Sequence, residues 1–248
     1  AAMAARPVGA LVSLAIPQDD RFDSGSVHDG VREAAASVGA GILGGDVSRS
    51  PGPLVVDIVV LGRTDRPLLR VGAEPGDELW ATGTLGGSAA AVREWESGRE
   101  PSDDLRRAFL RPTPRAGAAQ ILAEQNLAVA LIDLSDGLAG DAGHLAAAGG
   151  VGIVLEAVGV PVNPAVQELL GADAALELAL HGGEDYELCF AARAGTVDPQ
   201  RLSSALEGLQ LSRVGRVVEG AGVKLENPAG DVVPLVRGGF SHLEENVQ

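Results

Sequence analysis

Asp133, Ser135 and Asp136 fall in the segment Leu131-Ile132-Asp133-Leu134-Ser135-Asp136-Gly137-Leu138, where an apolar run from Leu127 meets a helical pattern that continues to Ala148. The run reads as a buried strand, and the polar residues after it mark a helix start. Two hard carboxylates beside a helix N-terminus suit Mg²⁺ and polyphosphate, because the oxygens take the metal and the free N–H groups take phosphate. Capping is the competing reading: Ser135 or Asp136 would equally serve to close the first turn of the helix.

Two further segments repeat the theme. Ile42-Leu43-Gly44-Gly45-Asp46 runs from an apolar strand end into two glycines and an acid, with Pro51 and Pro53 closing the loop behind it. His181-Gly182-Gly183-Glu184-Asp185-Tyr186-Glu187-Leu188 places a diglycine and acids just before a strand over 186–192. Glycine pairs let a backbone approach a ligand closely, and adjacent acids can hold a metal or a cationic group. One Gly-Gly-Asp is an ordinary turn in most chains. Three acid-bearing strand-end loops in one chain point to a shared site.

The elements that must position these loops divide near residue 75. Residues 7–17 read as a strand bounded by prolines, 27–38 as an amphipathic helix, and 42–45 and 54–61 as two more strands, a β-α-β-β pattern. Glu74-Pro75-Gly76-Asp77 is a turn, and a new strand begins at Glu78. Beyond it, helices are expected over 88–96, 103–110, 115–125, 136–148, 164–170, 174–180 and 199–206. Strands are expected over 128–132, 152–155, 187–192 and 212–218, with a closing hairpin around 223–235. The fold class is therefore α+β.

Composition narrows the function. The net charge of −15 argues against a nucleic-acid surface, which needs clustered lysine and arginine. Lys224 is the only lysine, so a lysine-dependent phosphate loop is absent, and arginine, glycine backbone and Mg²⁺ must do any phosphate work. The hydrophobic fraction is 46%, yet no apolar run is long enough to span a membrane. The single cysteine, Cys189, excludes an intramolecular disulfide and a cysteine-rich zinc site and is read as core. His144 and His181 attract no metal reading, since neither has a partner at ligand spacing.

In this order, Gly44-Gly45-Asp46, Ile132-Asp133-Leu134-Ser135-Asp136-Gly137-Leu138 and Gly182-Gly183-Glu184-Asp185-Tyr186-Glu187-Leu188 resemble the signature segments of the thiamine-monophosphate kinases. That family lies in the superfamily of aminoimidazole ribonucleotide synthetase, selenophosphate synthetase and the hydrogenase-maturation dehydratase. The stretches 69–77 and 82–86 and Gly238-Gly239-Phe240 also match, and the resemblance runs from residue 1 to about residue 243. It implies the two-domain architecture of aminoimidazole ribonucleotide synthetase. Residues 1–74 would be the C-terminal half of the ATP and dimerisation domain, and 75–248 a C-terminal α/β domain of mixed sheet and packed helices. The family's upstream Gly-Asp-Asp-Ala stretch, its histidine-bearing strand and its Asn-Leu-Ser-Asp-Leu-Ala helix have no counterpart here, so the first domain is expected to be incomplete.

The resemblance also implies an activity: ATP gives its γ-phosphoryl to thiamine monophosphate, producing thiamine diphosphate, with Mg²⁺ as cofactor, in a cytoplasmic homodimer. Carried over by position, Asp46, Asp133 and Asp136 match magnesium ligands, and Gly45, Asp46, Arg70 and Ser135 match the ATP site. Glu184 and Phe240 match the thiamine side, where a carboxylate and an aromatic face suit a cationic ring. The chain departs from the family pattern at Val47, where a hydroxyl residue usually follows Gly-Gly-Asp, and at His28, nearest to a nucleotide-contacting tyrosine. The alternatives are another ATP-using member of the superfamily, or an inactive nucleotide- or thiamine-phosphate-binding fragment.

Overall fold

The computed structural model describes residues 1–17 and 23–235. They form two compact units, Ala5–Arg66 and a larger one comprising Ala1–Ala4 with the chain from Pro67 onward. Residues 67–74, read from sequence with the first domain, pack with the larger of these two units. Leu68 packs into the core of the larger unit, its N–H donates to the Met3 carbonyl, and the Leu131 N–H donates to the Leu69 carbonyl. Residues 67–74 are tied to the second unit by those bonds.

The smaller unit has the expected β-α-β-β order: β1 (Arg6–Pro17), α1 (Ser24–Ser37), β2 (Gly41–Ser50) and β3 (Val55–Arg63). Asp23 caps α1 by accepting the Gly25 and Ser26 N–H groups, so the helix starts earlier than its apolar pattern suggests. β1 is the central strand, parallel to β2 and antiparallel to β3, and it turns Ala10, Val12 and Leu14 inward. Asp46 does not lie in a loop beyond a strand, as expected from Gly-Gly-Asp; it lies within β2, opposite Ser13. The glycines explain why. The β1–β2 register shifts at Ala10/Leu11 and resumes with Leu11 opposite Gly44 and Val12 opposite Gly45. A Cβ on Gly45 would overlap the Val12 carbonyl. Here the diglycine serves strand pairing.

The larger unit is built on a seven-stranded sheet. Its strands are β4 (Glu78–Thr82), β5 (Ala130–Leu134), β6 (Gly152–Glu156), β7 (Glu187–Ala192), β8 (Leu211–Val218), β9 (Gly222–Glu226) and β10 (Val232–Pro234). Their order is β10-β9-β6-β8-β4-β7-β5, and β6–β9 is the parallel pair, so the sheet is mixed. In β4, β5 and β7 the side chains alternate between two cores. Leu79, Ala81, Ile132, Leu134, Cys189 and Ala191 face one, and Trp80, Leu131, Leu188, Phe190 and Ala192 face the other. Sheet strands buried on both sides read as continuous apolar runs, which is how they were legible. Helix α5 (Leu138–Gly149) covers the first face with Leu138, Ala142 and Leu145. Helices α4 (Ala116–Glu124) and α8 (Pro199–Ala205) cover the second through Ala119, Leu122 and Leu202. Helices α2 (Gly87–Glu96), α3 (Asp103–Leu110), α6 (Pro164–Leu170) and α7 (Ala172–His181) complete the unit. Cys189 is fully buried, as expected, and burial pushes its thiol up.

Candidate active site

Asp133 is the penultimate residue of β5, and α5 begins at Leu138, so Ser135-Asp136-Gly137 form the link between them. The capping reading fails here. The N-cap position belongs to Gly137, at φ +92°, and no side chain caps the helix. The loop ahead of the helix is held from inside α5. Asp141, 2% exposed, turns back so that its Oδ2 accepts the Ser135 and Asp136 N–H groups, each at 3.0 Å. Burial pushes Asp141 up to about 7; the bonds from Asp136 and Ser135 oppose it, and the charges of Asp136 and Asp133 reinforce it. The loop is held through its backbone, which leaves the side chains of Asp133, Ser135 and Asp136 available.

His144 stands one turn beyond Asp141, and its Nε2 lies 3.6 Å from Asp136 Oδ2. Asp136, Asp141 and His144 bring ligand atoms within 4.8 Å of one another. The expectation that His144 has no partner at ligand spacing is therefore overturned. The helix carries Asp141 and His144 on one face, and the loop folds Asp136 onto them, a relation that linear spacing conceals. His181 instead faces Glu177 on its own helix, at 3.8 Å.

The second diglycine meets this loop directly. Glu184 N–H donates to Ser135 O at 2.9 Å, and Tyr186 N–H donates to Leu134 O at 2.8 Å. A Cβ on Gly183 would overlap Ser135 O, and one on Gly137 would lie 2.8 Å from Gly182 O. Glycine is required for this backbone crossing. Glu184 and Tyr186 both take left-handed conformations, at φ +66° and +51°. Residues of this kind persist where the surroundings over-determine them, and they cluster at functional sites. The surroundings here are explicit. Asp185 Oδ2 accepts the Gly86 N–H at 2.8 Å, and Ser88 Oγ donates to Glu184 O at 2.7 Å. Burial pushes Asp185 up to about 7 against the bonds from Gly86 and Ser88. Burial, then the charges of Glu184, Asp133 and Asp136, raise the Tyr186 phenol above its ordinary value.

Glu187 begins β7 from a buried position. It accepts Thr82 Oγ1 at 2.6 Å and a bidentate pair from Arg115, Nε at 2.7 Å and Nη2 at 2.5 Å. Thr82 Oγ1 in turn accepts the Leu188 N–H. Segments 82–86, 133–137 and 182–187 thus converge, and a cleft of about 440 Å³ opens beside them, lined by Ala1, Ala2, residues 112–115, Asp133 and Tyr186.

Of the sequence-predicted residues, the structure brings together Asp133, Ser135, Asp136 and Glu184. Arg70 is exposed and follows Leu69, which is bonded to β5. Gly45 and Asp46 belong to the Ala5–Arg66 unit, and Phe240 lies outside the described residues. Sequence reasoning missed Arg115, Asp141, His144 and the role of Glu187. The one available signal was a run of acids and a histidine at helical spacing after the Asp133 loop.

Residues 74–226 match the AIR synthase related protein, C-terminal domain, and residues 1–64 match the corresponding N-terminal domain. The chain is 36% identical over its whole length to a thiamine-monophosphate kinase of Rhodopirellula baltica, the match spanning 73% of that protein. It is also 36% identical to a thiamine-monophosphate kinase of Salmonella typhimurium, over 77% of this chain and 59% of that protein. A solved structure, AaThiL complexed with AMPPCP and TMP, superposes with a TM-score of 0.84 at 30% identity, covering 98% of this chain and 75% of that one.

Proposed function

We propose that this chain, which belongs to the thiamine-monophosphate kinase family of the AIR synthase related proteins and spans 73% of the length of the Rhodopirellula baltica relative, serves to phosphorylate thiamine monophosphate with ATP. The observation that carries the reading is the backbone-to-backbone contact of the Asp133–Gly137 loop with the Gly182–Glu184 loop. It sets carboxylates suited to a phosphate-bound cation beside a carboxylate suited to a cationic ring. The relative whose structure contains both AMPPCP and TMP supports it.

The donor set fits Mg²⁺. Asp133 and Asp136 offer hard oxygens on a backbone that Asp141 fixes, and Asp46 is the third proposed ligand. Bound there, Mg²⁺ would neutralise phosphate charge and align the polyphosphate. The imidazole of His144 is a poorer Mg²⁺ ligand than a carboxylate, so its part is to hold Asp136. Gly45, Asp46, Arg70 and Ser135 contact ATP in this reading, Arg70 as a fixed cation on a phosphate. Glu184 and Phe240 take the thiamine side. The acceptor oxygen is already ionised near neutral pH, so no general base is needed, and the residues act by positioning and charge.

The test is an ATP-dependent assay of the complete protein with thiamine monophosphate and with free thiamine as acceptors. Thiamine diphosphate should form from the monophosphate; product from free thiamine alone would sink the assignment. Glu184→Gln should raise KM for thiamine monophosphate more than KM for ATP, because the carboxylate is assigned to the acceptor.

The complete protein is further proposed to be a cytoplasmic homodimer. No helix among the described residues is long and apolar enough to cross a membrane. β3 supports the assembly: it is a sheet edge exposed along its whole length, with Val55, Val56, Ile58, Val59, Val60 and Leu61 open to solvent. Such an edge invites pairing. β1 is paired on both sides, so an edge strand such as β3, and not β1, is the one open to pairing. Light scattering should give twice the chain mass for the complete protein; a monomer rejects the proposal.

A further inference from the structure

Tyr186 is the only tyrosine of the chain and is 42% exposed. Its left-handed backbone is unfavourable for any residue with a Cβ, yet it is fixed on every side. Its own N–H is bonded to Leu134 O, the Glu184 N–H to Ser135 O, the Asp185 carboxylate to the Gly86 N–H, and Ser88 Oγ to the Glu184 carbonyl. A residue there only to fill space needs no such construction. The ring lines the cleft together with Asp133 and residues 112–115.

The charge around the ring selects what the cleft can take. Of the charges acting on the phenol Glu184 is the strongest, and it is the carboxylate that the Mg²⁺ assignment of Asp133 and Asp136 leaves free for an organic cation. Arg115, the arginine of the cleft wall, has Nε and Nη2 committed to the buried Glu187. An aromatic face beside the Glu184 carboxylate favours a positively charged ring over a neutral purine, because face and carboxylate attract the same charge. We propose that the face of Tyr186 receives the thiazolium ring of the acceptor, which makes it a specificity-determining residue that discriminates a cationic acceptor from a neutral one. The inference rests on the kinase reading and adds to it a residue outside the Glu184 and Phe240 pair.

The test measures binding of thiamine monophosphate and of its uncharged thiophene isostere to the complete protein by calorimetry, for the natural sequence, Tyr186→Phe and Tyr186→Leu. Both variants retain a Cβ and the same backbone requirement, so circular dichroism should show equal folding. The natural protein and Tyr186→Phe should favour the cationic compound about tenfold, and in Tyr186→Leu that preference should fall to roughly the two- to threefold that the remaining Glu184 carboxylate supplies, while affinity for AMPPCP stays within twofold. Equal preference in Tyr186→Leu and the natural protein would overturn the inference and leave the kinase reading standing. Weakened AMPPCP binding with unchanged acceptor binding would overturn it in favour of adenine stacking. If the natural protein bound no thiamine monophosphate, the kinase reading itself would fall, and this inference with it.

Discussion

Asp133→Asn and Asp136→Asn are each expected to lower turnover of the complete protein by roughly 10² to 10³, with thermal stability nearly unchanged. An amide replaces a carboxylate at constant shape, and the loop does not depend on either side chain for its conformation. The N-cap position is Gly137, and the loop N–H groups are bonded to Asp141. What each change removes is one anionic oxygen from the proposed metal shell, and a loss of about 3–4 kcal/mol in the transition state corresponds to that rate factor. Asp136→Asn removes a repelling charge from Asp141 but also the carboxylate that faces His144, two opposing effects that should leave the stability change small. Steady-state kinetics beside a melting curve decides it. Mutants that kept near-normal turnover and lost only stability would require the metal assignment to be withdrawn.

Arg115→Ala should produce the largest loss of stability, on the order of 3–5 kcal/mol, because it leaves the Glu187 carboxylate without its cation inside the protein. The side chains of Arg115 and Glu187 are 20% and 8% exposed, and three bonds meet on the carboxylate. For a chain of this size that loss lowers Tm by about 10 °C. The pair Arg115→Met with Glu187→Leu should recover much of the difference, since removing both charges leaves no unpaired carboxylate. A single mutant that melted within about 2 °C of the natural protein would show that solvent reaches Glu187 and that the network is not a structural tie.

The periods of the chain and the chemistry of its loops were legible without coordinates. Asp103–Leu110 and Pro164–Leu170 are bounded as their caps and proline dictate, and Glu187–Ala192 begins and ends where its apolar run does. Asp133, Ser135, Asp136 and Glu184 were picked out because acid-bearing loops at strand ends recur in one chain and resemble a kinase signature. What stayed hidden was decided by contacts between distant residues. Arg115 finds Glu187 across a separation of 72 residues, and Thr82 reaches the same carboxylate across 105. No local pattern records such a pairing. The two diglycines show the limit most directly, because in sequence they are the same device. In the structure one lets β2 pass against β1 at Val12, whereas the other lets the Glu184 loop pass against Ser135. A glycine's freedom of backbone and lack of Cβ are properties of the sequence, but which backbone comes close enough to need them is settled only by the packing of the whole sheet.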